Sequence, residues 1–216
     1  RIGGRHIQGR TSRERKGKEM WHCSVFSISS CFLFLFFFLI PHQNSSSTNA
    51  LSVDLINTTC KQCTDKSTIL SYDFCLTSLQ AIPISHVLNL QGLALIAMEL
   101  AVENATNTVS IIEKMLSSGA FDPFDMECLK DCLELYTDAV AMLLNSIEAF
   151  LSKHCDTANV LVSAAMEAAT TCEEGFMEEE GEASPLTKEN CNLFELSDVA
   201  LCIINLVSSH SPSLSS

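Results

Sequence analysis

Beyond Ala50 the chain contains no arginine. It carries six lysines there against 24 aspartates and glutamates, a formal net charge of −18 where the whole 216-residue chain has −13. A surface so poor in positive charge excludes ordinary nucleic-acid binding, which depends on neutralising phosphates, and disfavours anionic membrane surfaces. It suits a soluble protein that meets basic partners or works at acid pH, where some carboxylates are protonated. Strand patterns are missing as well. No segment keeps apolar–polar alternation at period two for more than five residues, so half-buried strands are not expected. No Gly-x-Ser-x-Gly elbow occurs, and no cysteine stands in a protease-like context, so nucleophilic catalysis has no recognisable set of residues. The histidines beyond Ala50 are His86 and His154, at expected loop ends, and His210 near the C-terminus. No internal repeat and no cofactor motif is present, and no catalytic, cofactor-binding or metal-binding residue is assigned.

The N-terminal apolar stretch has two readings, a membrane anchor and a secretory signal, and its length favours the signal. Residues 1–19 are basic and without apolar period, Met20 follows, and Cys31–Ile40 is an unbroken run of ten apolar residues. That run falls short of the ~20 residues a span needs. A basic segment, a short apolar run and a polar stretch are the parts of a secretory signal. Thr48-Asn49-Ala50 puts small residues at the minus-three and minus-one positions of a cleavage site after Ala50. Residues 1–50 are therefore expected to be upstream sequence plus a signal peptide starting at Met20, residues 51–210 a single domain, and residues 211–216 a frayed tail. The mature protein is expected outside the cell, without stable membrane association. Nine cysteines lie beyond Ala50, at 60, 63, 75, 128, 132, 155, 172, 191 and 202. In an oxidising compartment these form disulfides, and an odd count leaves at least one free or paired between chains.

What is present is helical period. LSVDLINTTCKQC and YDFCLTSL both carry helical spacing, and Cys60 and Cys75 flank the polar loop between them. A disulfide closing those sixteen or so residues is worth roughly 3 kcal/mol in the chain-entropy model. Pro83 ends this unit, and Ser85 can cap the next helix. That helix shows Val87, Ala94, Met98, Ala101, Ala105, Val109, Ile112 and Leu116 on one face, and Ser117-Ser118-Gly119 stops it. Asp122-Pro123 opens the following helix as N-cap and first helical residue. Its stripe is Leu129, Leu133, Tyr136, Val140, Leu143, Leu144, Ile147 and Leu151. After a turn near 153–156, a third long helix capped by Asp156 shows a thinner stripe of Leu161, Ala164, Ala165, Ala168, Cys172 and Phe176. Cys132 and Cys172 lie equally far from that turn, so they can face each other across the hairpin. Ser184-Pro185 opens a last helix with Leu193, Leu196, Ala200, Ile203 and Val207 inward. Four long amphipathic helices on short loops imply an all-α, up-down-up-down four-helix bundle behind a small helical hairpin.

The remaining candidates are weak. Cys60-x-x-Cys63 has redox or zinc spacing, but a redox centre needs a βαβ setting and a zinc site a second ligand pair. The acidic run after Gly175 lacks the alternating spacing of a calcium loop. Asn57-Thr-Thr and Asn104-Ala-Thr are N-glycosylation acceptors.

Several motifs together resemble the plant invertase/pectin methylesterase inhibitor family. They are Ile56-Asn-Thr-Thr-Cys60, Tyr72-Asp-Phe-Cys75-Leu-Thr-Ser-Leu79, Leu129-Lys-Asp-Cys132-Leu-Glu-Leu-Tyr136-Thr-Asp-Ala139, Val162-Ser-Ala-Ala165, Thr171-Cys172-Glu-Glu-Gly-Phe176 and Ser184-Pro-Leu-Thr-Lys-Glu-Asn190. The long gap between Cys60 and Cys75 is similar to the subgroup that includes tree-pollen allergens. The resemblance implies a stapled four-helix bundle with an N-terminal hairpin and disulfides Cys60–Cys75 and Cys132–Cys172. It implies a non-enzymatic, secreted cell-wall protein whose partner is pectin methylesterase or acid invertase. The expected contact uses helix faces and the 153–159 loop, with Lys153, Asp156, Thr157 and Asn159 as contact residues. Invertase inhibitors of this family carry Pro-Lys-Phe in that loop, and Cys155-Asp156-Thr157 stands there instead. Cys63, Cys128, Cys155, Cys191 and Cys202 lie outside the family's four-cysteine pattern, and Cys128 could compete with Cys132.

Overall fold

The computed structural model describes residues 46–67, 69–178 and 183–210. The basic leader, the apolar run and the expected tail lie outside the described residues, as do four residues of the acidic run. Among the described residues there are six α-helices, one 3-10 helix and no strand. They are α1 (Ser46–Thr64), α2 (Tyr72–Gln80), the 3-10 helix (Pro83–Val87), α3 (Leu90–Ser118), α4 (Pro123–Leu151), α5 (Cys155–Phe176) and α6 (Thr187–His210).

Helices α3 to α6 each pack on the next, and α6 closes the ring on α3. With short connections this is the up-down-up-down bundle. Its core is filled by Leu93, Met98, Ile112, Leu129, Tyr136, Leu143, Phe176, Leu193 and Ile203, all essentially buried. Alanines 94, 97, 101, 105, 139, 158, 165, 168, 169 and 200 are buried beside them and let the backbones approach. Helix α6 is long and apolar enough to pass for a membrane span, yet half of its most apolar window is buried inside the bundle. Its apolarity serves the core.

The N-terminal hairpin of α1 and α2 lies against α6. Ile56, Cys60, Cys63, Leu70, Cys75 and Leu79 are buried there. Cys60 and Cys75 form a disulfide within the hairpin, with Cα atoms 5.7 Å apart. Cys63 and Cys202 form a second, with Cα atoms 5.6 Å apart, across 139 residues of sequence. This one fastens the hairpin to α6. Ser67 adds a hydrogen bond at 2.8 Å by donating its Oγ–H to Asp198 Oδ2.

Local signals placed some helix ends and tertiary packing moved others. Asp122 caps α4, its carboxylate accepting from the N–H groups of Phe124 at 2.8 Å and Asp125 at 3.0 Å, with Pro123 at the first helical position. Gly119 ends α3 in the left-handed conformation, φ 61°, which glycine adopts without steric penalty. Ser85, by contrast, does not cap α3. It is buried in the 3-10 helix and donates its hydroxyl to the carbonyl oxygens of Leu79 and Ile82. Asn89 takes the role, accepting from Gly92 N–H at 3.0 Å, so α3 starts at Leu90 and Val87 stands 67% exposed rather than in the core. Asp156 does not cap α5 either. That helix starts at Cys155, two residues before an Asp156 cap would start it, and His154 occupies the cap position without a side-chain bond. Helix α6 starts at Thr187; Ser184 and Pro185 form a turn before it, in which Ser184 Oγ accepts from Leu186 N–H at 3.1 Å.

Candidate functional site

The α4–α5 hairpin has a rigid base and an exposed tip. At the base, Cys132 and Cys172 are joined by a disulfide, Cα atoms 5.0 Å apart. Cys128, one turn earlier on α4, stays a free thiol and donates to the Gly175 carbonyl at 3.6 Å. Burial raises the Cys128 pKa, and the negative charges of Asp125, Asp131 and Glu178 push it the same way. The reactive thiolate is therefore disfavoured beside the disulfide.

A polar chain crosses the interior at the same level. The buried Tyr136 hydroxyl donates to Asn190 Oδ1 at 2.6 Å. Asn190 Nδ2 donates to Glu173 Oε2 at 2.6 Å, and Thr187 Oγ1 donates to Glu173 Oε1 at 2.6 Å. This ties α4 to α5 through the first turn of α6. Burial raises the Tyr136 pKa, helped by the charges of Glu189 and Glu173, so the phenol stays a donor. A cleft of about 460 Å³ opens beside this chain between α5 and α6, with Ile69, Ala169 and Phe194 in its wall. Cys191, a free and exposed thiol, lies at the same place.

The tip is closed by a Schellman turn. His154 N–H donates to Ala149 O at 2.9 Å, and Lys153 N–H to Phe150 O at 3.0 Å. The geometry requires a left-handed residue, and Lys153 supplies it with φ 66°. It is the one non-glycine residue with positive φ among the described residues. A side chain in that conformation costs roughly 1–2 kcal/mol relative to glycine. The penalty is borne at an exposed position.

The expected contact residues divide here. Lys153, Asp156 and Thr157 are exposed around the tip. Asn159 is half-buried and turned to α6, donating its Nδ2–H to Asn205 Oδ1 at 2.8 Å. The 153–159 segment is also not all loop. From Cys155 onward it is the first turn of α5, because the Schellman turn ends α4 within two residues. Leu144 and Leu151 of the expected inner stripe are 53% and 61% exposed, and Val160 is 67% exposed. Ser146 and Phe150 fill the core in place of the two leucines. The tip thus mixes one lysine, one histidine and exposed aliphatic side chains on a protein that is otherwise strongly acidic.

The expected glycan acceptors lie within helices. Asn57 is half-buried on α1, followed by a buried Thr59. Asn104 is half-buried on α3, with its Oδ1 shielded. Sequence reasoning missed Asn190 and Glu173 as a pair. Both fall in motifs singled out above, but nothing local shows that a tyrosine from α4 reaches them. Among the described residues no group of three or more histidines, cysteines or carboxylates could hold a metal ion.

A sequence profile described as plant invertase/pectin methylesterase inhibitor matches residues 54–203. A protein named "Putative invertase inhibitor" from Platanus orientalis is 40% identical over 157 residues, 73% of this chain and 92% of that one. A pectinesterase inhibitor from Actinidia deliciosa is 31% identical over 133 residues, 62% of this chain and 71% of its own. In three dimensions, mutant form A of a pectin methylesterase inhibitor from Arabidopsis aligns with a TM-score of 0.60 at 26% identity, covering 70% of this chain and 95% of that one. The stapled helical bundle, the matched sequence and the similar solved structure agree: the chain belongs to the plant invertase/pectin methylesterase inhibitor family, a family of enzyme inhibitors and not of enzymes.

Proposed function

We propose that this protein is a secreted inhibitor that binds pectin methylesterase or acid invertase and covers its active site. The observation that carries this reading is the exposed, left-handed Lys153 at the tip of the stapled α4–α5 hairpin. A compact, preorganised projection loses little conformational entropy on binding. The lysine offers a cation to an enzyme cleft lined by carboxylates, while Leu151 and Val160 offer apolar area beside it. Inhibition then needs no chemistry, only stoichiometric occlusion. Secretion is supported by the signal-like leader and by the disulfides of the folded domain. On this reading the mature protein works at the cell wall and carries glycans at Asn57 and Asn104.

Purified protein titrated against pectin methylesterase and acid invertase, at about pH 5 and pH 7 to span carboxylate titration, identifies the target. A stoichiometric loss of one activity supports the reading, and full activity of both enzymes at all ratios overturns it. A second reading rests on one departure. Cys155-Asp156-Thr157 stands where the Pro-Lys-Phe of invertase inhibitors would be, and here it forms a helical turn. A bundle that keeps the fold without the inhibitory contact would leave both enzymes untouched. A mass unchanged by glycosidase treatment of secreted protein would remove the glycans from the proposal.

A further inference from the structure

A second recess, of about 400 Å³, lies where the end of α1 meets α5 and α6. The Cys63–Cys202 disulfide and Leu201 form its apolar part. Around them stand Lys66 and Ser67 from the end of the hairpin, Asn159 and Ser163 from α5, and Asp198 and Asn205 from α6. Three separate chain segments thus bring six hydrogen-bonding side chains to one place. Two internal bonds hold this set in position. Ser67 Oγ donates to Asp198 Oδ2 at 2.8 Å, and Asn159 Nδ2 donates to Asn205 Oδ1 at 2.8 Å. Those bonds leave the second oxygen of Asp198, the Asn205 amide N–H groups, the Ser163 hydroxyl and the Lys66 ammonium without a protein partner among the described residues. Asn159 Oδ1 is shielded from water and has no hydrogen-bond partner. Closed to water, that atom is closed to a ligand in the recess as well, and the groups just named are the ones that remain for recognition.

We infer that this recess binds a small, neutral, polyhydroxylated molecule: a monosaccharide or a cyclitol. The charges decide the class. One ammonium and one carboxylate cancel, so the recess has no net preference for an anion or a cation. The carboxylate and the carboxamides suit adjacent hydroxyls, each of which must both donate and accept. The volume falls at the lower end of the roughly 300–1,000 Å³ range of small-molecule sites. The recess exists only while the hairpin sits on α6, because Lys66 and Ser67 come from the hairpin. The Cys63–Cys202 disulfide therefore serves as part of the binding wall as well as a staple.

The test is titration of the oxidised, 15N-labelled domain with D-glucose, D-galactose, myo-inositol and sodium D-galacturonate, following the side-chain amides of Asn159 and Asn205. A ligand of about twelve heavy atoms with few contacts is expected to saturate with a Kd on the order of millimolar. Saturable shifts at both amides with at least one neutral probe, weakened at least tenfold in Asp198→Ala, support the inference. If Asp198→Ala disturbs the fold, Ser163→Leu, an exposed position that fills the recess, is expected to abolish the shifts with the backbone spectrum unchanged. Tighter binding of galacturonate than of every neutral probe overturns the neutral class. Shifts that rise linearly to about 100 mM, a hundredfold above the expected Kd, overturn the site itself.

Discussion

The molecule contains two helical hairpins, each with its own disulfide, and the disulfides do different work. The α1–α2 hairpin is short, and the side chains it buries are few. The Cys60–Cys75 link closes 15 residues, and the hairpin is fastened to the bundle by Cys63–Cys202. Covalent bonds there substitute for area that the segment is too small to bury. The α4–α5 hairpin has helices of 29 and 22 residues, a full apolar face and packing from α3 and α6. Its Cys132–Cys172 link is buried among the apolar side chains of that core. The staple sets helix register and so the position of the tip. One disulfide system makes a segment fold, and the other makes a folded segment precise.

The largest expected effect is on the first hairpin. Replacing Cys63 and Cys202 by Ala removes a closure worth about 5 kcal/mol in the chain-entropy model. Amide exchange is expected to accelerate across α1 and α2 while α3 to α6 stay protected. Equal acceleration in the bundle would erase the distinction between the hairpins. Replacing Cys132 and Cys172 by Ala removes a closure of 40 residues, about 4 kcal/mol in the same model. The melting temperature is expected to fall with the bundle still helical by circular dichroism. An unchanged melting temperature under oxidising conditions would mean the staple contributes nothing.

Tyr136→Phe leaves Asn190 Oδ1 without its donor and is expected to cost about 1–3 kcal/mol, read as a lower denaturant midpoint at neutral pH. The raised pKa gives this prediction a sign at high pH. The contribution of the neutral phenol is fully present below its unfolded pKa of about 10 and is lost as pH climbs from there towards the raised folded value. Tyr136→Phe should therefore flatten the alkaline fall in stability, and an identical fall in both proteins would contradict it. The smallest effect is the most informative. Lys153→Gly relieves the left-handed lysine and is expected to stabilise the domain by about 1 kcal/mol, while weakening inhibition of the target enzyme. A variant both more stable and equally inhibitory would show that the tip is structural, as the base is.

How legible all this was depends on the range of the forces involved. The four long helices follow from apolar residues at steps of three and four, and the Asp122-Pro123 start and the Gly119 stop need only neighbouring residues. Those elements were readable. The start of α3 was not, because Ser85 and Asn89 are both competent caps and the choice was made by the Leu79 carbonyl, which drew Ser85 inward. Leu144 and Leu151 fit the stripe by period, yet four helices in a ring cover only the inner arc of each, and both residues lie on its flank. The turn at Lys153 could be placed but not shaped, since no glycine announces a left-handed position.

By itself, then, the sequence determined the helical class, the number of long helices, the acidic surface and the family. These depend on periodicity and composition, which act within a few turns of chain. The tertiary structure alone decided which cysteines meet across 139 residues, which polar groups join Tyr136 to Asn190 and Glu173, and which face of the tip meets solvent. Such contacts have no local cause: they exist only after distant segments have been brought together by burial of the common core.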